Sequence, residues 1–217
     1  MQFELCPSMM CARIGELNRE IRLLEDAGAD IFHMDIMDGQ YVRNFAMGYR
    51  EIKHICDKST IRTEVHLMIE HPEDYIRMFQ ECGVDIIYIH PDSEYHPITT
   101  LQKIQEMGLQ SGIVINPGVA VDSLLELYNV VDRVMVMGVN PGHAGQVYLP
   151  YVEKKICRLI VLQREYGFSI GMDGAVNLER VKTLSKMGVT HFVLGTAALF
   201  RDDYNYSARM KEFRDIL

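Results

Sequence analysis

Four times in this chain a helix-like segment runs into a glycine and then directly into a β-branched, apolar run: "AGAD" at 27–30, "CGVD" at 82–85, "MGLQ" at 107–110 and "MGVT" at 187–190. A glycine just past a helix takes the left-handed conformation that ends it, so this punctuation marks where helices stop and strands begin. The apolar runs lie near Phe3–Met9, Ile31–Met37, Arg62–Met68, Asp85–His90, Gly112–Ile115, Arg133–Gly138, Ser169–Met172 and His191–Gly195. Amphipathic, helix-like patterns follow them near Gly15–Ala27, Gly48–Asp57, Pro72–Cys82, Pro97–Met107, Val121–Asn129, Leu149–Tyr166, Asn177–Met187 and Tyr204–Ile216. A βα unit recurring about every 25 residues predicts a parallel sheet, and eight units in 217 residues predict an α/β fold of the (β/α)8 TIM-barrel type. A doubly wound open sheet is the rival, but it would place a glycine-rich nucleotide turn after the first strand. "CPSMMCARIG" stands there instead. No linker-like or low-complexity stretch interrupts the chain, which predicts one domain over residues 1–217.

Composition narrows the partners. The net charge is −8, which argues against a nucleic-acid surface or a basic membrane-binding face. No apolar stretch approaches the ~20 residues a membrane-spanning helix needs. The first residues show no basic, then apolar, leader pattern, so no signal peptide is expected. Five cysteines, odd in number and without a C-x-x-C pair, read as reduced thiols of a cytoplasmic protein.

The stretch "IFHMDIMDGQYV" at 31–42 is apolar enough for a buried strand, yet it carries His33, Asp35 and Asp38. A buried carboxylate without a partner costs several kcal/mol. Side chains two apart on a strand share a face, so His33 and Asp35 point the same way. In a barrel of this kind chemistry sits at the carboxyl ends of the strands. Ser8 ends the first strand, His66 lies in "EVHLM" of the third and Asp173 in "GMDG" of the seventh. Two imidazoles and two carboxylates, His33, Asp35, His66 and Asp173, have the mixed nitrogen and oxygen character of a divalent-metal site. One ion per subunit would neutralise the carboxylates. Zinc is the expected ion; iron, cobalt and manganese accept the same ligands. Met37, Met68 and Met137 fall near the same strand ends and could form a soft apolar shell, although methionine also serves as core filler. His90, His96 and His143 are candidates for the mouth of the site, while His54, His71 and His191 are read as residues without a role.

Phosphate binding supplies the second signal. "VNPGHAGQVY" at 139–148, "DGAVN" at 173–177 and "LGTAALF" at 194–200 follow three consecutive strands. Their glycines, Gly142 and Gly145 among them, let backbone N–H groups approach an anion closely. Loops after the last strands of such a barrel are its usual phosphate cradle. None of the three loops contains Lys or Arg before Arg201, so backbone dipoles and hydroxyls would hold the anion.

These residues together resemble the ribulose-phosphate 3-epimerase family. The match runs in order along the whole chain through "PSMM" (7–10), the stretch from "AGAD" through "FHMDIMDGQYV" to Asn44, "VHLMIEHPEDYI" (65–76), the "NPG" and "AGQ" of 140–146, "DGAVN" (173–177) and "LGT" (194–196). The resemblance implies a ribulose-phosphate-binding (β/α)8 barrel and a metal-dependent epimerase that inverts C3 of a ketose phosphate. It implies that His33, Asp35, His66 and Asp173 hold the metal, with Asp35 and Asp173 also the acid/base pair. Ser8 and His66 would contact the sugar, and Gly142, His143, Ala144, Gly145, Gly174, Ala175, Gly195 and Thr196 the phosphate. The family also suggests a homo-oligomer. Its first substrate pair is D-ribulose 5-phosphate and D-xylulose 5-phosphate; the allulose-6-phosphate branch, which would interconvert D-allulose 6-phosphate and D-fructose 6-phosphate, is the alternative. Departures from the family pattern fall at Arg43, His143 and Ala175, all beside the expected substrate.

Two other classes compete with this one. A lyase on a similar barrel uses a strand-borne lysine, and none stands in the Asp35-Ile36-Met37-Asp38 stretch. A sugar-phosphate sensor would not need both carboxylates and every metal ligand intact.

Overall fold

The structure is a computed structural model that describes residues 3–201 and 205–217. Met1 and Gln2, and Tyr204 at the expected start of the last helix, lie outside the described residues. Among the described residues nine strands are formed: β1 (Glu4–Pro7), β2 (Ile31–Asp38), β3 (Phe45–Ala46), β4 (Arg62–Met68), β5 (Ile86–Ile89), β6 (Gln110–Ile115), β7 (Arg133–Met137), β8 (Ser169–Asp173) and β9 (His191–Leu194). Seven α-helices accompany them among the same residues: α1 (Leu17–Asp26), α2 (Tyr49–Lys58), α3 (Ile76–Cys82), α4 (Pro97–Glu106), α5 (Glu153–Tyr166), α6 (Leu178–Met187) and α7 (Tyr206–Ile216). The four punctuating glycines, Gly28, Gly83, Gly108 and Gly188, all have positive φ, as a helix stop requires.

All nine strands belong to one sheet in the order β1-β9-β8-β7-β6-β5-β4-β2-β3, parallel except for the β2–β3 pair. The sheet curls until its ends meet. A parallel bridge joins Ser8 to His33, the Asp30 amide donates to the Leu5 carbonyl at 3.1 Å, and the Leu5 amide donates to Asp30 Oδ2 at 2.7 Å. Eight parallel strands therefore close into the predicted barrel.

Two elements differ from the sequence reading. Strand β3 is a two-residue hairpin partner of β2, too short to leave an alternation pattern; Asp38 Oδ1 shapes its turn by accepting from the Gln40 and Tyr41 amides. The fifth crossover, Val121–Val130, is a 3₁₀ helix instead of an α-helix. Ten residues of 3₁₀ helix span about 20 Å against about 15 Å of α-helix. The tighter coil thus carries a short connection back along the barrel.

Strand alternation sorts the core into two layers. Phe32, Met34 and Ile36 of β2 pack outward under the helices, in the large cluster with Leu5, Val65 and Ile87. Ile31 of the same strand joins Cys6, Tyr88, Val114, Met135 and Val193 in a second cluster that fills the bore. His33, Asp35 and Met37 share the parity of Ile31 and so face inward.

A chain of buried charges threads the bore below that level. Glu64 Oε1 lies 2.7 Å from His33 Nδ1 and 2.9 Å from His191 Nε2. His191 Nδ1 lies 3.1 Å from Glu4 Oε2, which also accepts from Arg133 Nη1 at 2.6 Å. His191, read from sequence as a residue without a role, is therefore a buried member of β9 held between two carboxylates; its partners are too distant in sequence for any local pattern to reveal them. Burial depresses its basicity, but Glu64 and Glu4 outweigh burial and raise it above the ordinary imidazole value. For Glu4 burial acts upward, and His191 and Arg133 overcome it to hold the carboxyl well below the carboxylate range. A raised imidazole contributes stability below about pH 6.5 and loses it as pH climbs through the raised native value. The groups facing His191 are Glu4, Glu64, Arg133, Cys6 and the Tyr88 ring. Calorimetry of His191→Gln against the parent should show a melting-temperature gap that is wider at pH 5.5 than at pH 8.5.

Candidate metal centre and phosphate pocket

Register brings the site together. On the paired strands β2 and β4, His33 stands beside Glu64, Asp35 beside His66, and Met37 beside Met68. The β7–β8 pairing sets Met137 beside Asp173, and the closing bridge sets Ser8 beside His33. One ligand atom from each of His33, Asp35, His66 and Asp173 lies within 4.8 Å of the others, so these four residues could hold a metal ion.

Three of the four are buried, Asp35 at 5% exposure and both histidines at 0%. His33 Nε2 is 3.3 Å from Asp35 Oδ1. His66 Nδ1 is 3.3 Å from Asp35 Oδ1 and 3.5 Å from Asp173 Oδ2, yet it makes no hydrogen bond and is an unpartnered buried nitrogen. Its other nitrogen, Nε2, lies 2.8 Å from His90 Nε2. Carboxylates only accept hydrogen bonds, and His33 meets one at each ring nitrogen, so either the ring carries both hydrogens or a cation lies between Nε2 and Asp35. Burial pushes Asp35 upward, and His33 and His66 overcome it to hold the carboxyl far below its usual range. His33 and His66 are in turn raised against the effect of burial, chiefly by Asp35 for the first and by Asp173 and Asp35 for the second. His90 is driven the other way, down, by burial and by the charge of His66. The donor set and the orphaned His66 nitrogen both fit a divalent transition metal.

Above the four residues opens a pocket of about 290 Å³. Ser8, Asp35 and Asp173 line its floor, and Ser8 Oγ donates to Asp35 Oδ2 at 2.6 Å. Met37, Met68 and Met137 are all on its wall, each at most 5% exposed. Gly142, His143, Ala144 and Gly145 border it from one loop, Gly174 and Ala175 from the next, and Gly195 and Thr196 from the third. His33 and His66 lie beneath the lining. His90 lies with them, His96 is exposed at the start of α4, His54 Nε2 pairs with Asn18 Oδ1 on the exterior at 2.7 Å, and His71 stacks on Tyr95.

The loops are tied down by residues that sequence reasoning passed over. Asn44 Nδ2 donates to the Gly142 carbonyl at 2.7 Å, linking the β2 and β7 loops. Gln146 Nε2 donates to the carbonyls of Asn140 and His143 at 2.6 and 2.9 Å. Asn177 caps α6 by accepting from the Arg180 amide, and Arg180 Nη1 donates to the Ala175 carbonyl at 2.6 Å while stacking over Tyr148. A cation thus stands behind a cradle whose own loops hold none. Glu64 was also missed as a partner of the site, and His90, expected at its mouth, lies buried beneath it against His66. The available signal was spacing, since Glu64 is two residues before His66 and so shares its face.

Gly174 is fixed by both torsion and space. Its φ is +96°, and a Cβ there would sit 2.7 Å from Val139 Cγ2 and 3.0 Å from the Val139 amide nitrogen. Left-handed strain and overpacking together should cost Gly174→Ala about 2–4 kcal/mol in denaturant unfolding. Ala175, at φ 52°, already tolerates the left-handed region. Ala175→Gly relieves that strain but loosens the unfolded chain by a similar amount, so it should change stability by less than about 1 kcal/mol.

A profile of the Ribulose-phosphate 3 epimerase family matches residues 4–200. The ribulose-phosphate 3-epimerase of Bacillus subtilis is 33% identical over 216 residues, covering 98% of this chain and 97% of its own. That of Aquifex aeolicus is 32% identical over 210 residues, covering 94% and 93%. Among solved structures, 3-hexulose-6-phosphate synthase from Salmonella typhimurium superposes with a TM-score of 0.74 at 14% identity, covering 99% of this chain and 98% of that one. That likeness speaks to the barrel alone. With the family profile spanning nearly every described residue and full-length relatives above 30% identity, the chain belongs to the ribulose-phosphate 3-epimerase family and is an isomerase of the epimerase class.

Proposed function

We propose that this epimerase interconverts D-ribulose 5-phosphate and D-xylulose 5-phosphate by moving a proton at C3, with Asp35 and Asp173 as the two proton-transfer groups. The observation that carries the reading is the convergence of both carboxylates on His66 Nδ1, at 3.3 and 3.5 Å, on the floor of a pocket rimmed by three glycine-bearing loops. Inversion beside a ketone needs one group to take a proton and another to return one to the opposite face. Asp35 is held ionised by His33 and His66 and oriented by Ser8. Asp173 reaches the pocket from β8, so two different strands supply the two groups. A divalent ion held by His33, Asp35, His66 and Asp173, zinc first among the candidates, would stabilise negative charge building on the C2 and C3 oxygens.

Met37, Met68 and Met137 keep water from the reacting carbon, and backbone N–H groups of the 142–145, 174–175 and 195–196 loops take the phosphate. Two further parts of the reading rest on the family and the free cysteines: a homo-oligomer, checked by sedimentation, and a cytoplasmic location. Among the described residues no helix is long and apolar enough to cross a membrane. The deciding experiment is a coupled assay of pentulose 5-phosphates against hexulose 6-phosphates. A kcat/KM at least about tenfold higher for the pentuloses is expected; the reverse order would assign the chain to the hexulose reaction.

A further inference from the structure

His33 is the one proposed ligand whose far nitrogen meets a fully buried anion. Its Nδ1 lies 2.7 Å from Glu64 Oε1, and Glu64 is 0% exposed. The same oxygen takes His191 Nε2 at 2.9 Å, while Glu64 Oε2 has no partner at all. A carboxylate cannot donate, so both nitrogens that face Oε1 must carry hydrogen. Behind His191 stand Glu4 and Arg133, in contact through bonds of 3.1 and 2.6 Å. The run Asp35–His33–Glu64–His191–Glu4–Arg133 crosses β2, β4, β9, β1 and β7, so its geometry is set by the barrel and not by any one loop.

We infer that Glu64, braced by His191, is a positioning residue that keeps the His33 proton on Nδ1 and so turns the Nε2 lone pair toward the metal centre. The inference rests on the reading of His33 as a ligand. An imidazole whose far N–H is bound to a carboxylate is both fixed in orientation and a stronger donor, and losing such a partner typically weakens metal affinity 10–100-fold. The two imidazoles are treated differently, since His66 is backed by the neutral ring of His90 and His33 by an anion. Cys6, Glu64 and His191 also bring ligand atoms within 4.8 Å of one another. They do not form a second cation site, because the Arg133 guanidinium already lies 3.4 Å from His191 Nδ1 and burial keeps the Cys6 thiol protonated.

Cobalt(II) is the probe, with affinity measured by chelator competition on the full chain, alongside the imidazole ¹⁵N spectrum of the zinc-loaded protein. In the parent protein His33 should show hydrogen on Nδ1 alone. Glu64→Gln, which keeps the volume and loses the charge, should bind cobalt 10–100-fold more weakly and lose that single tautomer, while Glu64→Asp should recover part of the affinity. A parent His33 with its hydrogen on Nε2 overturns the inference without recourse to any variant. Cobalt affinity in a folded Glu64→Gln within twofold of the parent, together with a large loss in His33→Ala, overturns the inference alone. Cobalt uptake indifferent to His33→Ala overturns the ligand reading as well.

Discussion

Asp35→Asn and Asp173→Asn should each lower epimerisation by at least about 10³-fold, within the range that removal of a positioned acid or base commands. Asparagine keeps the shape of aspartate, so the fold is expected to survive. At position 35 its amide oxygen can still accept from Ser8, 2.6 Å away in the parent. What disappears is basicity, together with one anionic contact to His33 and His66. The sharper result lies in heavy water. If Asp35 and Asp173 act from opposite faces of the carbon, as proposed, each variant retains at most the group facing one epimer. Residual deuterium uptake should therefore appear in opposite epimers for the two variants, while net interconversion stops in both. Uptake into the same epimer in both, or epimerisation above about a tenth of the parent rate in either, would remove the affected residue from the pair.

What the sequence made legible follows from the range of each signal. Helix stops at Gly28, Gly83, Gly108 and Gly188 are local events, so the βα repeat and the eight parallel barrel strands could be read, whereas the two-residue β3 could not. His33 and Asp35 were readable as a pair because alternation along one strand is also local. Their meeting with His66 followed from barrel logic, and the register of β2 on β4 bears out the juxtaposition. The chain from Glu64 through His191 to Glu4 was not readable. Its contacts join residues 127 and 187 apart in sequence, and a lone strand histidine says nothing of its partners. The 3₁₀ crossover at Val121–Val130 has the apolar spacing of a helix, and spacing alone does not distinguish the tighter coil from the α form. Glycines marked the phosphate loops, whereas the anchors Asn44 and Arg180 act through backbone carbonyls, for which side-chain patterns carry no signal.

Stripping the purified protein with a strong chelator should abolish activity, and elemental analysis before stripping should find one divalent ion per chain. The argument is electrostatic. Asp35 and Asp173 converge on a buried His66 nitrogen that has no hydrogen-bond partner, and the neighbouring buried carboxylate, Glu64, is already committed to His33 and His191. Lone pairs crowded within 4.8 Å repel unless a positive charge joins them. An ion that binds only the folded chain stabilises it by about 3–4 kcal/mol when present at a hundredfold to thousandfold over its dissociation constant. For a chain of this size that corresponds to about 5–15 °C in melting temperature. Stripping should therefore cost both catalysis and thermal stability, and adding back zinc, cobalt, manganese or iron(II) should restore both, with the best ion identified by the recovered rate. In His66→Ala the restoring ion should raise the melting temperature by much less than in the parent. A stripped protein that keeps its full rate and melting point, under conditions where analysis confirms less than a tenth of an ion per chain, would mean that these four residues neutralise one another without a metal.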